Sequence, residues 1–459
     1  MFSPPMSALA RVCAIAGATL VLASCGGGSG GGGGFVPLAP IAQPQPQPQP
    51  ETPVAMHTVG GTLSGITSGK LVLQNNAGDD LTLTADGKFS FATPVKEGSA
   101  YAVTVRTQPL WQFCTVSNGG GNAAAEVTGV TVSCKEALAT VSTFAGTGTP
   151  GDADGEGLAA TFQIPRGVRL DAAGNLYVTD AQNKLIRAIS PSGFVSTVAG
   201  KGAGGTLSDP FDLVLDAAGN IYVTELTTHL VRKVTPTGVV SALAGTAGTA
   251  GWADANGTSA KFSQPSGIAF DPQGNLVVAD SLGQRIRKIA PDLAVSTFAG
   301  SGAQGSDDGT GTAATFSVPA GIAMDAAGNM FVTDFGSHVI RKITPQGVVT
   351  TPFGKRNTTG HADGKGNDAT FSFPVGIAID SSGSLYVGDS SNHVIRRITP
   401  DGMVRTLAGK AGTSGADDGV GNAATFYRPY GVAVDAAGNV YVADLFNNKI
   451  RKITPTPAP

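Results

Sequence analysis

One pattern, written six times between residues 167 and 444, constrains what this chain can fold into more than any other feature. Its core reads GVRLDAAGNLYVTD (167–180), DLVLDAAGNIYVTE (212–225), GIAFDPQGNLVVAD (267–280), GIAMDAAGNMFVTD (321–334), GIAIDSSGSLYVGD (376–389) and GVAVDAAGNVYVAD (431–444). The turn aspartates Asp171, Asp216, Asp271, Asp325, Asp380 and Asp435 stand 45, 55, 54, 55 and 55 residues apart. Self-similarity at such a period specifies a solenoid or a propeller, because one unit cannot bury its apolar face without a neighbour. Each core holds two alternating strands around a tight turn. A third strand such as HVIRKITP (338–345) and a fourth such as VVSALAG (239–245) follow. Four short strands per unit is the make-up of a propeller blade. The 65 glycines and a charged fraction of only 14% fit a turn-rich chain with little helix.

The G-I-A-x-D-x-x-G-N-x-Y-V-x-D core followed by I-R-K-I resembles the NHL-repeat family, over residues 137–455. That resemblance implies a closed β-propeller, here of six blades. The ends of the repeat region agree independently. It opens with a lone fourth strand, ATVSTFAG (139–146), and ends after a third, KIRKITP (449–455). If the first completes the last blade, no sheet edge is left open to pairing. The expected fold is all-β, a six-bladed propeller closed by an N-terminal strand and preceded by a small antiparallel β-sandwich-like domain.

That small domain is expected over residues 55–136, where LVLQN (71–75), LTLTADGKFSFAT (81–93) and YAVTVRT (101–107) alternate apolar and polar residues, with the turn pair Asp86-Gly87 between two runs. Cys114 and Cys134 flank a glycine-rich loop, and an exported compartment permits a disulfide between them. The stretch resembles Ig-like modules that precede repeat domains in bacterial surface proteins.

Residues 1–24 read as a signal peptide, since one basic residue, Arg11, precedes an apolar run too short to span a bilayer. The run ends in LASC, which resembles a lipobox, so Cys25 is expected to carry lipid at the mature N-terminus. Gly26 rather than aspartate follows it, which in the general lipoprotein sorting pattern directs the protein to the outer membrane of a bacterial envelope. Residues 25–54 form a tether, first glycine-rich and then a stiff run of alternating glutamine and proline. With 30 basic and 33 acidic residues, there is no electrostatic case for nucleic acid.

Most repeated residues have structural expectations. Gly174 and its equivalents accept positive φ in the turn, and Asn175 and its equivalents tolerate left-handed geometry. Acids end each second strand, at Asp180, Glu225, Asp280, Asp334, Asp389 and Asp444, and arginines recur at 187, 232, 287, 341, 396 and 451. They are expected to pair within each blade. Five blades carry an insertion of the form ADGxGxxAxFxxPxG before the first strand, on the face where propellers usually bind ligands. Its one or two carboxylates fall short of the six to eight oxygens that calcium takes. Its phenylalanines, Phe162, Phe262, Phe316, Phe371 and Phe426, are expected to wedge between blades.

The second blade departs from the pattern: its loop is only KGAGGTLSDP (201–210), Asp212 replaces glycine and Glu225 replaces aspartate. A notch edged by Lys201, Asp209, Asp212, Glu225 and His229 is the expected place for a bound partner. No catalytic residue, metal or cofactor is expected. His229, His338 and His393 repeat at one position, and no serine or cysteine nucleophile motif occurs. The expectation is a monomeric, membrane-anchored binding or scaffold protein whose loop face engages a protein, peptide or glycan. The alternative is a metal-dependent, lactonase-like hydrolase or lyase, as among six-bladed relatives.

Overall fold

The structure, a computed structural model, describes residues 53–201 and 204–458. The signal peptide, Cys25 and nearly all of the tether lie outside the described residues. Val54–Pro459 forms one compact unit with no α-helix among its described residues.

Six sheets, each of four antiparallel strands, follow one another along the chain from Leu138. Their innermost strands are Pro165–Leu170, Pro210–Leu215, Pro265–Phe270, Pro319–Met324, Pro374–Ile379 and Pro429–Val434. Each packs beside the next and the last packs beside the first, so the six blades close a ring. The closure is the one expected. Leu138–Ala145 pairs antiparallel with Lys449–Thr456 and becomes the outermost full strand of blade 6.

Glycine sets how tightly the ring closes. The third residue of the innermost strand is Gly167, Gly267, Gly321, Gly376 or Gly431 in five blades. A Cβ at Gly267 would lie 2.1 Å from the Ala320 carbonyl oxygen, and one at Gly376 2.2 Å from that of Tyr430. Neighbouring backbones therefore meet at the axis with no room for side chains. Blade 2 places Asp212 there instead.

The turn between the first two strands is built by its aspartate. Asp171 Oδ1 accepts the N–H groups of Ala173 and Asn175, and Oδ2 accepts the Asn175 side-chain amide. Gly174 takes φ 84°, as expected. Asn175 does not enter the left-handed region; its amide locks the aspartate instead, a different use of the same residue.

The insertions differ from their expected place. Rather than only decorating the loop face, they fold over the outer edges of the blades. Gly309–Thr310, Gly364–Lys365 and Gly419–Val420 add a fifth strand to blades 4, 5 and 6. An uncovered edge strand is a template for aggregation, and the insertion caps it. Its phenylalanine is fully buried in all five blades and lies between neighbouring sheets, Phe162 among Ala145, Ile189 and Ala443 for example.

The N-terminal strands form two four-stranded sheets and a short pair, around a core of Val59, Leu71, Leu73, Phe91, Val103 and Val130. Cys114 and Cys134 stand opposite one another on adjacent strands and form a buried disulfide. One pair departs from the antiparallel expectation: Val59–Ser64 runs parallel to Val127–Glu136, since almost the whole module serves as the crossover between them. At Asp86-Gly87 the chain passes from one sheet to the other instead of folding back, and the Asp86 carboxylate accepts the N–H groups of Gly65 and Ile66.

This module packs on the propeller through Trp111, which is 1% exposed. Its ring lies 6.2 Å from that of Tyr386 and 5.8 Å from the Arg397 guanidinium. Arg405 adds an ion pair to Glu136. These contacts fall on blade 5, and the blade 6 turn at Gly438 lies against Leu110 and Trp111, on the face that carries the Asp-x-x-Gly turns.

Candidate functional site

The repeated charges form a staple in five of the six blades. Arg187 reaches Asp180 at 2.9 Å with one amino group and Asp154 of the insertion at 2.7 Å with the other. Asp154 also holds Thr197 on the outermost strand. The same arrangement recurs at Arg287, Arg341, Arg396 and Arg451, with each guanidinium 4.9–5.2 Å from the ring of the buried phenylalanine. Burial pushes the carboxyls of Asp280 and Asp389 up to about 6 and that of Asp334 to about 7, against the pull of their arginines. Perturbed acids often mark catalytic sites. Here the blade geometry accounts for them, and the insertion acids are engaged by arginine and threonine.

The five residues expected at a blade 2 notch do not line one opening. Lys201 pairs with Asp152 at 2.5 Å, on exposed surface. Asp209 holds Arg166 at 2.8 Å, and Asp212 holds Arg169 at 2.8 Å beside the axis. Burial raises the Asp212 carboxyl, opposed by Arg169, and its Oδ1 has no hydrogen-bond partner. Glu225 is fully buried, accepting the Ser208 N–H and the Thr228 hydroxyl, with Arg232 at 3.6 Å. The shorter loop lacks an insertion aspartate, but Leu207, 3% exposed, takes the place of the phenylalanine and fills the gap.

His229 belongs to a different device. Its Nδ1 accepts the N–H of Gln264 in the next blade, at 3.2 Å. His338 and His393 do the same for Phe373 and Arg428, and Gln284 and Asn448 do it with an amide oxygen for Val318 and Ile164. The five residues whose N–H is clamped all take φ between 52° and 57°, a left-handed turn ahead of the innermost strand.

Blade 6 departs from the repeat on the loop face. Tyr427 stands where other blades have Gln163, Ser208, Ser263, Ser317 and Ser372, and Phe446 where they have Gln182, Thr227, Leu282, Gly336 and Ser391. Arg428 and Tyr430 complete the set. These side chains form a continuous track from axis to rim. Arg166 lies over Phe211 at 5.6 Å, and Phe211 meets Tyr430 edge-on at 6.1 Å. Tyr430, whose hydroxyl pKa is raised by burial, feels both Arg166 and Arg428. Arg428 then lies over Phe446 at 5.7 Å, and Phe446 packs on Tyr427 at 5.1 Å. Tyr427 and Phe446 are each 41% exposed. Arg428 is exposed and has no carboxylate partner among the described residues. Comparing the repeats position by position, rather than by spacing and loop length, finds these residues in the sequence.

Below the track, Arg166, Arg169, Phe211, Asp212 and Tyr430 line a constriction of about 20 Å³. That is room for about one water molecule.

Residues 152–359 match the SMP-30/gluconolactonase/LRE-like region, and residues 371–398 match the NHL repeat. Human NHL repeat-containing protein 2 is 33% identical over 151 residues, which is 30% of this chain and 21% of that protein. The chain thus spans about a fifth of that relative. A crystal structure of a Bacteroides thetaiotaomicron protein of unknown function aligns at TM-score 0.60 and 19% identity, covering 88% of this chain and 99% of that one. An auxiliary nutrient binding protein from the same organism aligns at 0.56 and 18%, covering 89% and 99%. At these identities the likeness concerns the fold, which extends over both the N-terminal module and the propeller. Six repeats, the two family matches and the closed ring of blades show a β-propeller of the NHL-repeat type.

Proposed function

We propose that this protein is a lipid-anchored, extracytoplasmic binding protein that takes up an anionic saccharide on the loop face, along the track from Arg166 to Tyr427. The observation that carries this reading is the run of aromatic and arginine side chains on the loop face, centred on blade 6, where the exposed Tyr427 and Phe446 stand mostly where other blades have small or polar residues. Exposed aromatic rings cover the apolar faces of sugars, and an unpaired guanidinium holds a carboxylate in a two-pronged geometry. The nutrient-binding description of a protein with the same two-part architecture supports a binding role. In this reading Cys25 carries the lipid, residues 25–54 are the tether, and the protein sits at the outer membrane. The N-terminal module occupies the opposite, turn-bearing face, so it leaves the track clear.

The test is calorimetric titration of the purified protein with uronate-containing and neutral oligosaccharides, repeated with Arg428→Ala and Tyr427→Ala/Phe446→Ala. A hot-spot loss of about 2 kcal/mol corresponds to roughly 30-fold weaker binding. Uronate binding untouched by either variant would refute the site. The lactonase-like alternative draws on the family match over residues 152–359. Lactone turnover lost in Asp212→Asn would favour it. Incorporation of labelled palmitate, absent in Cys25→Ser, tests the anchor.

A further inference from the structure

The groove between blades 5 and 6 on the turn-bearing face is filled by Trp111. A Cβ added at Gly438 would meet Leu110 at 3.3 Å and Trp111 Nε1 at 3.4 Å. The repeat-equivalent groove between blades 2 and 3, on the opposite side of the ring, is open. It measures about 560 Å³, and a Cβ at Gly274, the equivalent of Gly438, meets nothing within 4 Å.

The two grooves share their walls. Tyr222 corresponds to Tyr386, and each donates its hydroxyl to the turn aspartate of its blade, Asp216 or Asp380. Lys233 corresponds to Arg397, with its ammonium 5.8 Å from the Tyr222 ring. The cation and phenol that hold an indole in one groove are thus in place in the other.

Two departures from the repeat enlarge the apolar wall of the open groove alone. Phe270 stands where the other blades have Leu170, Leu215, Met324, Ile379 and Val434, and it meets Tyr222 edge-on at 5.3 Å. Leu293 stands where Gly193, Gly238, Gly347 and Gly402 turn the chain, and it takes φ 69°. A leucine held in a glycine's conformation costs backbone energy, and in return it lines this groove.

We propose that the groove between blades 2 and 3 is a docking pocket for a tryptophan presented on a turn of a partner protein. What seats Trp111 in the equivalent groove defines the chemistry: an indole packed at a tilt against tyrosine, within reach of a cation. The pocket is separate from the loop-face track, so it stands whether or not that track binds saccharide.

The probe is a capped peptide with the sequence of residues 107–113, TQPLWQF, titrated calorimetrically into the full chain beside the same peptide with alanine in place of tryptophan. The expected result is saturable binding of the first, at least tenfold tighter than the second. Leu293→Gly restores the residue of the other blades, so it keeps the fold, and it should weaken binding at least fivefold. Phe270→Leu should do likewise, and Leu158→Ala, at an exposed position on the blade 1 insertion, should leave it unchanged. Equal binding of the two peptides, no binding at all, or binding indifferent to both groove variants would overturn the proposal. The last outcome would mean that the peptide merely competes with Trp111 for its own groove.

Discussion

The interblade clamps make stability depend on pH in a way that can be isolated. At pH 7 His338 Nδ1 and His393 Nδ1 are acceptors, receiving the N–H groups of Phe373 at 3.2 Å and Arg428 at 3.1 Å. Protonation would turn each into a donor facing a donor. Burial lowers both pKa values below the usual 6.5, and Arg428 lowers that of His393 further. In the unfolded chain both histidines titrate near 6.5, so below that pH the unfolded state binds more protons. The stability they contribute is therefore complete above pH 6.5 and lost as pH falls toward their folded pKa values. Linkage limits the loss to about 1.4 kcal/mol per pH unit for each histidine, or about 2.7 kcal/mol for the pair between pH 6.5 and 5.5. The buried acids Asp280, Asp334 and Asp389, with raised pKa values, act in the opposite direction, their stability growing as pH falls. They are common to wild type and variant and cancel in a difference. The variant is His338→Asn/His393→Asn, for which Asn448 is the precedent, since it clamps Ile164 at 3.0 Å from the same left-handed position. Urea denaturation at pH 7.5, 6.5 and 5.5 should show nearly equal stability at the highest pH and a variant more stable by about 1–2.7 kcal/mol at the lowest. A constant difference across the three values would refute the role assigned to Nδ1.

Three further outcomes follow from the packing. Asp334→Asn removes a carboxylate oxygen that accepts from the fully buried Arg341, which keeps Asp308, and should cost about 1–3 kcal/mol in urea denaturation. Asp308→Asn, at the 40% exposed end of the same staple, should cost under about 1 kcal/mol. Trp111→Ala empties the plug between blades 5 and 6, so it should cost about 3–5 kcal/mol and expose the junction near residue 137 to limited proteolysis.

The ring was legible in the sequence because its instructions are local and repeated. A carboxylate that organises its own turn, strands of period two and a spacing of 54 or 55 residues in four of the five intervals leave little freedom in how each blade is built. The staple was half legible. Arg187 and Asp180 lie seven residues apart and were paired from their recurrence, but Asp154 lies 33 residues from Arg187 and meets it only because the insertion folds over the blade's edge. The notch at blade 2 was read from a missing length of chain. A shorter loop does not leave a hole when a leucine packs where a phenylalanine stood. Trp111 carried no signal at all, since its partners Tyr386 and Arg397 lie more than 270 residues away and nothing in its own segment repeats.

Repetition also supplies a way of separating binding surface from scaffold without reference to other proteins. In a ring of like blades every position is observed several times, so a residue that recurs is explained by what each blade needs. The acid and arginine staple, the axial glycine and the wedge phenylalanine fall in that class. A residue that departs from its equivalents is either drift or a use particular to its place. Drift scatters, and where it falls on the surface it has no reason to select one chemistry. Tyr427, Arg428, Tyr430 and Phe446 instead gather on one face of one blade, with Arg428 over Phe446 and Phe446 packed on Tyr427. Phe270 and Leu293 gather in one groove on the other face, one of them against its backbone preference. Both groups place bulky apolar side chains beside a cation: Tyr427 and Phe446 mostly where other blades have small or polar residues, Leu293 where they have glycine, and Phe270 where they have smaller aliphatics. That is the composition of contact residues at binding interfaces, where aromatic rings and arginine carry most of the energy.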